Sequence, residues 1–156
     1  MKRSRASLFV LTLLVTMTAC ASAAEYTLEI PAGWDKMKGS SALEHFMKSG
    51  ISFMLTIDQM PPTTKTPDQY VTYVKKALAG AFKNTKFEPV TMLTINGREA
   101  RELVYTGEVS GMKMKYDVVY IPVNGRVYTL TFGGLEQGFD TVKADRSAIV
   151  NSFKLK

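Results

Sequence analysis

MKMKYDVVYIPVNGRVYTLTF, residues 112–132, holds a segment that is apolar on both sides: Tyr116-Asp117-Val118-Val119-Tyr120-Ile121. Successive side chains of a strand point to opposite faces, so this run predicts a strand inside a sheet with cover above and below. Asn124-Gly125 follows, a dipeptide suited to the two positive φ angles of a type I′ turn, and Arg126 to Phe132 is the returning strand. An antiparallel sheet between two further layers is the expectation.

Working outward, Arg98 to Val109 reads as the preceding strand, reversed at Gly111, and Phe87 to Ile95 joins it through a second hairpin signal, Asn96-Gly97. Nearer the start, Tyr26-Thr27-Leu28-Glu29-Ile30 alternates apolar and polar before Pro31-Ala32-Gly33-Trp34 breaks it. Ala42 to Met47 and Ile51 to Ile57 form a hairpin closed by Lys48-Ser49-Gly50. Two helices complete the pattern. Thr66-Pro67-Asp68-Gln69 offers a cap, a proline at the first helical position and a Gln for a capping box. Tyr70, Val71, Val74, Ala77, Leu78, Ala81 and Phe82 follow at helical spacing, Lys75, Lys76 and Lys83 lie toward the negative end of the dipole, and Asn84 is the stop. A second helix runs from about Phe139 to Val150, with Val142, Ile149 and Val150 on its apolar side, and Ser152-Phe153-Lys154-Leu155 is a short edge strand. The fold class is therefore α+β: a three-layer α/β/α sandwich with a mainly antiparallel sheet of about six strands and two main helices.

The first 23 residues read as an export signal. Lys2, Arg3 and Arg5 form a basic region, Leu8 to Val15 an apolar run too short to span a bilayer, and Ala21-Ser22-Ala23 a small-x-small cleavage site before Ala24. Met17-Thr18-Ala19-Cys20 is a competing lipobox, which would make Cys20 a lipidated first residue and tether the protein to a membrane. The product is either periplasmic or membrane-anchored, and residues 24–156 form one domain.

Cys20 is the single cysteine, so an intramolecular disulfide and a cysteine zinc site are excluded. Three of the six net positive charges belong to Lys2, Arg3 and Arg5, which leaves +3 on the processed chain. The remaining basic residues mix with acids, as in Arg98-Glu99-Ala100-Arg101-Glu102, and read as a solvated surface rather than a nucleic-acid face.

The order of elements resembles the PsbP-like superfamily, which includes the photosystem subunit PsbP, bacterial DcrB-type envelope proteins and a eukaryotic Ran-binding import factor. The resemblance is carried by the Tyr26-to-Trp34 strand with its Pro-x-Gly-Trp and by the helix after the Pro61-Pro62 linker. The two Asn-Gly turns, Tyr128-Thr129-Leu130-Thr131-Phe132 and the last helix running into Ser152-Phe153 extend it over the rest of the chain. It implies a binding or accessory module, with no shared catalytic residues to carry over.

Chemistry is sparse. His45 is the only histidine, and no nucleophile stands at a spacing that pairs with it. Gly133-Gly134 lacks the lysine and flanking pattern of a phosphate loop, and no pair of carboxylates stands out. Met112-Lys113-Met114 places two thioethers on one strand face, a geometry open to Cu(I), and His45-Phe46-Met47 is a second soft-donor pair; packing is the plainer use of both. Trp34 plugs the end of a core or stacks on a ligand. Lys113 and Lys115 mark an anion patch, a solvated face or a protected sheet edge. The leading expectation is a non-catalytic exported module, without cofactor, for an envelope protein or small ligand. A hydrolase or lyase built from His45 and carboxylates, and copper binding through Met112 and Met114, are the alternatives.

Overall fold

The computed structural model describes residues 25–156; the expected leader, with Met17 and Cys20, lies outside the described residues. Eight strands form one antiparallel sheet: β2 (Asp35–Lys36), β3 (Glu44–Lys48), β4 (Ile51–Gln59), β5 (Lys83–Phe87), β6 (Thr91–Ile95), β7 (Arg98–Val109), β8 (Met112–Val123) and β9 (Arg126–Leu135). Their order is β2-β3-β4-β9-β8-β7-β5, with β6 also on β7. A separate ribbon pairs β1 (Tyr26–Thr27) with β10 (Lys154–Leu155).

The sheet is wider than the six strands expected, for two reasons. The expected strand Phe87 to Ile95 is divided, because Pro89 has no N–H to continue the ladder after Glu88 N bonds Val104 O. A two-residue strand, Asp35–Lys36, also adds itself beside β3. Each hairpin turns where expected: Ser49-Gly50, Asn96-Gly97, Ser110-Gly111 and Asn124-Gly125 all have two consecutive positive φ angles.

β8 lies between β7 and β9 and is covered on both sides. Val119 and Ile121 enter one core, with Phe53, Leu55, Leu130 and Phe132 from the sheet and Phe139, Val142, Ile149 and Val150 from beyond it. Val118 and Tyr120 enter the other, under Tyr70 and Val71 of α1 (Pro67–Ala81). The first core is closed by a 3₁₀ segment, Glu136–Val142, leading into α2 (Lys143–Ser152), where one continuous helix from Phe139 was expected. Trp34 plugs its end, edge-on to Phe53 and Phe132, and donates from Nε1 to Asp145 at 3.0 Å.

α1 starts as its sequence dictates. Thr66 is extended, its hydroxyl accepts from Gln69 N, and Pro67 opens the helix. The Gln69 side chain accepts from Lys65 N, one residue earlier than a strict capping box requires. Its end differs from expectation. Ala81 is the last helical residue, no lysine lies in the last turn, and Lys83 already belongs to β5. Asn84, at φ 53°, sits where the β5–β7 register shifts and is not a helix stop. Ala77 and Ala81 are exposed; Tyr70, Val71, Val74, Leu78 and Phe82 make the packed stripe.

Candidate functional site

Asp117 is the one acid inside the doubly covered run of β8. On its strand it points toward α2, opposite Val104 of β7 and Phe132 of β9. Glu102 of β7 points to the same side, two pairs further along. Arg146, in the first turns of α2, reaches back over both. Its Nη2 donates to Asp117 Oδ1 at 2.9 Å and to Glu102 Oε1. Nε lies 2.8 Å from Asp117 Oδ2 but off the hydrogen-bond line, so that contact is Coulombic. The three side chains keep only 12–17% exposure. Two carboxylates thus share one cation in a poorly hydrated place. Burial pushes the Asp117 pKa up, Glu102 adds to the rise, and Arg146 opposes it.

Beside this triad a cleft of about 160 Å³ opens between the sheet and the 3₁₀–α2 segment. Val104, Phe139 and Val142 form its apolar floor, and Lys115, Asp140 and Lys143 its charged rim. Lys115 Nζ lies 5.5 Å from the Phe139 ring centroid, a cation–π contact. Lys113 pairs with Glu136 at 2.7 Å. Both lysines belong to a strand inside the sheet, so they protect no edge, contrary to one of the expectations for them.

A second buried cation holds the opposite layer. Arg101, 3% exposed, donates through Nε and Nη2 to the carboxylate of Asp68 on α1, and Nη2 also reaches Glu99. The hydrogen bonds from Arg101 hold the Asp68 pKa below the usual carboxylate range. The stretch Arg98–Glu102, expected as solvated mixed charge, therefore supplies an ion-pair partner to each layer: the buried Arg101 to the exposed Asp68 on one side, and Glu102 to Arg146 on the other. Its alternation already separates Arg101 from Glu102 by face; what was missing was that both faces are covered.

The residues singled out from the sequence are dispersed. His45 lies on β3 on the α1 side of the sheet, its Nε2 3.0 Å from Ser52 Oγ and its cross-strand neighbour Met54. The Asp117–Glu102 pair is on the other side, so the fold does not assemble His45 with these acids as a hydrolase would require. Met112 and Met114 share a face, as alternation dictates. Met112 is half-exposed, and Met114 faces Gly107 and Leu135. His45 and Met47 lie three strands away from them on that same side. Gly133 and Gly134 are interior to β9 and serve packing: a Cβ on Gly133 would meet the Tyr116 ring at 2.8 Å, and one on Gly134 would collide with Ile51. Among the described residues no cluster of three or more His, Cys, Asp or Glu side chains is arranged to hold a metal, and no helix is long and apolar enough to cross a membrane.

Comparison with solved structures fixes what this architecture is. LpqN of Mycobacterium tuberculosis, involved in cell envelope biogenesis, superposes with a TM-score of 0.66 at 15% identity, over 84% of this chain and 83% of that one. Cyanobacterial PsbP (CyanoP) of Synechocystis matches at 0.59 and 18% identity, over 85% and 87%. The Saccharomyces cerevisiae Ran-binding protein Mog1p matches at 0.59 and 9% identity, over 84% and 90%. The fold is that of the PsbP and Mog1 proteins. The PsbP/Mog1 likeness spans the described domain end to end, and at these identities it is a likeness of backbone alone. No family model and no curated protein sequence matches the chain. Nothing at the level of single residues is therefore carried over from the PsbP/Mog1 fold, and the Arg146 triad stands on its own geometry.

Proposed function

We propose that this chain is a non-catalytic exported accessory module, whose cleft between β7–β8 and α2 receives a side chain of an envelope protein. One observation carries the reading: the one buried carboxylate of the cleft, Asp117, is already engaged by Arg146. A general acid or base held in the pocket must be free to exchange a proton with a substrate, and Asp117 is not. The cleft's volume is below the roughly 300–1,000 Å³ typical of small-molecule sites, which favours a side chain over a cofactor-sized ligand. Its apolar floor suits an apolar residue, and Lys115 and Lys143 on its mixed-charge rim suit an acid beside that residue. The basic, apolar and small-residue series of the leader supports export, to the periplasm or to a membrane through Cys20. LpqN and Mog1p, by name an envelope-biogenesis protein and a Ran-binding protein, are consistent with an accessory role.

The test is a pull-down from the native envelope with the naturally processed protein, set against Lys115→Glu/Lys143→Glu. Both lysines are at the rim, so the variant keeps the core. A partner retained by the parent and reduced at least tenfold by the variant supports the reading. Equal retention by both, or an enzymatic turnover abolished by Asp117→Asn, overturns it. The mass of the processed N-terminus reports whether cleavage precedes Cys20 or Ala24.

A further inference from the structure

The side of the sheet that carries α1 is only half covered. α1 packs on β5, β7 and β8, and the buried cluster beneath it draws its strand residues from β7, β8 and β9. β3 and β4 lie beyond its reach. There, register brings three soft donors together. His45 stands directly across from Met54, and Met47, two residues along β3, stands across from Ser52 on the same face. Directly opposed side chains in an antiparallel pair have Cβ atoms about 5 Å apart, and diagonal ones about 7–8 Å, within reach of a thioether. The alternate residues of both strands, Phe46, Phe53 and Leu55, go to the opposite core, which settles the direction of these three.

We propose that His45, Met47 and Met54 form a binding site for a soft monovalent metal ion, of which Cu(I) is the type. Thioether and imidazole ligands suit Cu(I), whereas Mg²⁺ and Ca²⁺ require oxygen donors. The next residues in register on β9 are Thr131 and Gly133, and the nearest carboxylate on this face is Asp35 of β2, exposed and directly across from Met47. Two thioethers, rather than the local charge, select a soft ion over a hard dication. Ser52 Oγ, 3.0 Å from His45 Nε2, is the outer hydrogen-bond partner that orients a ligating imidazole; when it accepts from Nε2, Nδ1 carries the free lone pair. All three donors are half-buried, and among the described residues neither hydrophobic cluster includes Met47 or Met54 as core filler. Met54 had no mark in the sequence, because only the pairing of β3 with β4 sets it beside His45.

The site is tested by anaerobic titration of the purified protein with Cu(I) against a chromogenic Cu(I) chelator. Methionine methyl NMR with Ag(I), a redox-inert stand-in, runs in parallel. The expected result is one equivalent retained against the chelator. The Met47 and Met54 methyl signals shift, and those of Met112 and Met114 stay in place. Met47→Leu/Met54→Leu lowers affinity at least tenfold at an unchanged melting temperature, while Met112→Leu/Met114→Leu binds as the parent does. Failure of the parent to retain the ion overturns the proposal. So does a shift confined to Met112 and Met114, or parental affinity in a folded Met47→Leu/Met54→Leu variant. The NMR arm reads the parent protein alone, so a variant that does not fold leaves the proposal falsifiable.

Discussion

The two sides of the sheet share the same strands and are finished differently. On the α2 side, the 3₁₀ segment, α2, Trp34 and the chain through Leu28 and Ile30 close a core that includes Phe53, Leu55, Leu130 and Phe132 at 0% exposure. On the α1 side, a helix of 15 residues does most of the covering, with Met60 before it and Phe82 after it. A helix about 10 Å wide spans roughly two strand spacings of about 4.8 Å, so half the sheet stays open. Its residues there, Ser52, Met54, Thr56 and Thr131, are small, polar or flexible. The contrast separates roles by region: cohesion is concentrated under α2, and accessible polar and soft side chains are concentrated beside α1.

The sharpest way to break this contrast is to cut both cores equally. Phe132→Ala, on the α2 side, is expected to cost about 3–5 kcal/mol in denaturant unfolding, enough to endanger the fold. Leu78→Ala, on half-buried α1, is expected to cost about 2 kcal/mol or less, because less of its side chain leaves water on folding. Equal losses would show that the two sides are equally important to cohesion.

A second expectation concerns the charges set into the α2 side. Arg146→Ala leaves Asp117 and Glu102 without their cation, and removing one partner from a buried ion pair costs about 3 kcal/mol near neutral pH. The loss shrinks on acidification, since both carboxylates are then relieved by protonation. Urea titrations at neutral and acid pH measure it; a pH-independent loss would assign the effect to packing of the arginine stem instead.

The smallest effect is a difference in titration. Asp117 and Asp145 share an ordinary value of 3.8 and shift in opposite directions. Burial chiefly raises Asp117; hydrogen bonds from Lys48, at 2.6 Å, and then Trp34 lower Asp145. For Asp117 the folded state holds its proton more tightly than the unfolded one, so its contribution to stability falls as pH rises from 3.8 through its folded value. For Asp145 the contribution is present above 3.8 and is lost as pH falls through its lowered value. Carboxyl carbon NMR is expected to place the Asp117 midpoint above that of Asp145, and the reverse order would mean that Arg146 outweighs burial.

Much of the backbone was legible from local signals. The doubly apolar run Tyr116–Ile121, the Asn-Gly turns and the Thr66-Pro67 helix start each depend on a few neighbouring residues, and each appears where its chemistry requires. Helix ends were less legible: Lys83 and Asn84 look like a C-terminal signal, yet the competing pairing of β5 with β7 claims them. The partners in the ion pairs were not legible, because Glu102 and Arg146 are 44 residues apart and Asp68 and Arg101 are 33 apart. One clue was present, a lone acid in an otherwise apolar strand. Such a residue must find a partner when buried.

Local sequence alone determined the strands, their turns, the capped helix and the three-layer class, since periodicity and turn conformation act over a few bonds. Only the folded chain decided which charges meet, which side of the sheet stays open and that Met54 stands opposite His45. Those outcomes follow from strand register and helix width, which bring together residues far apart along the chain.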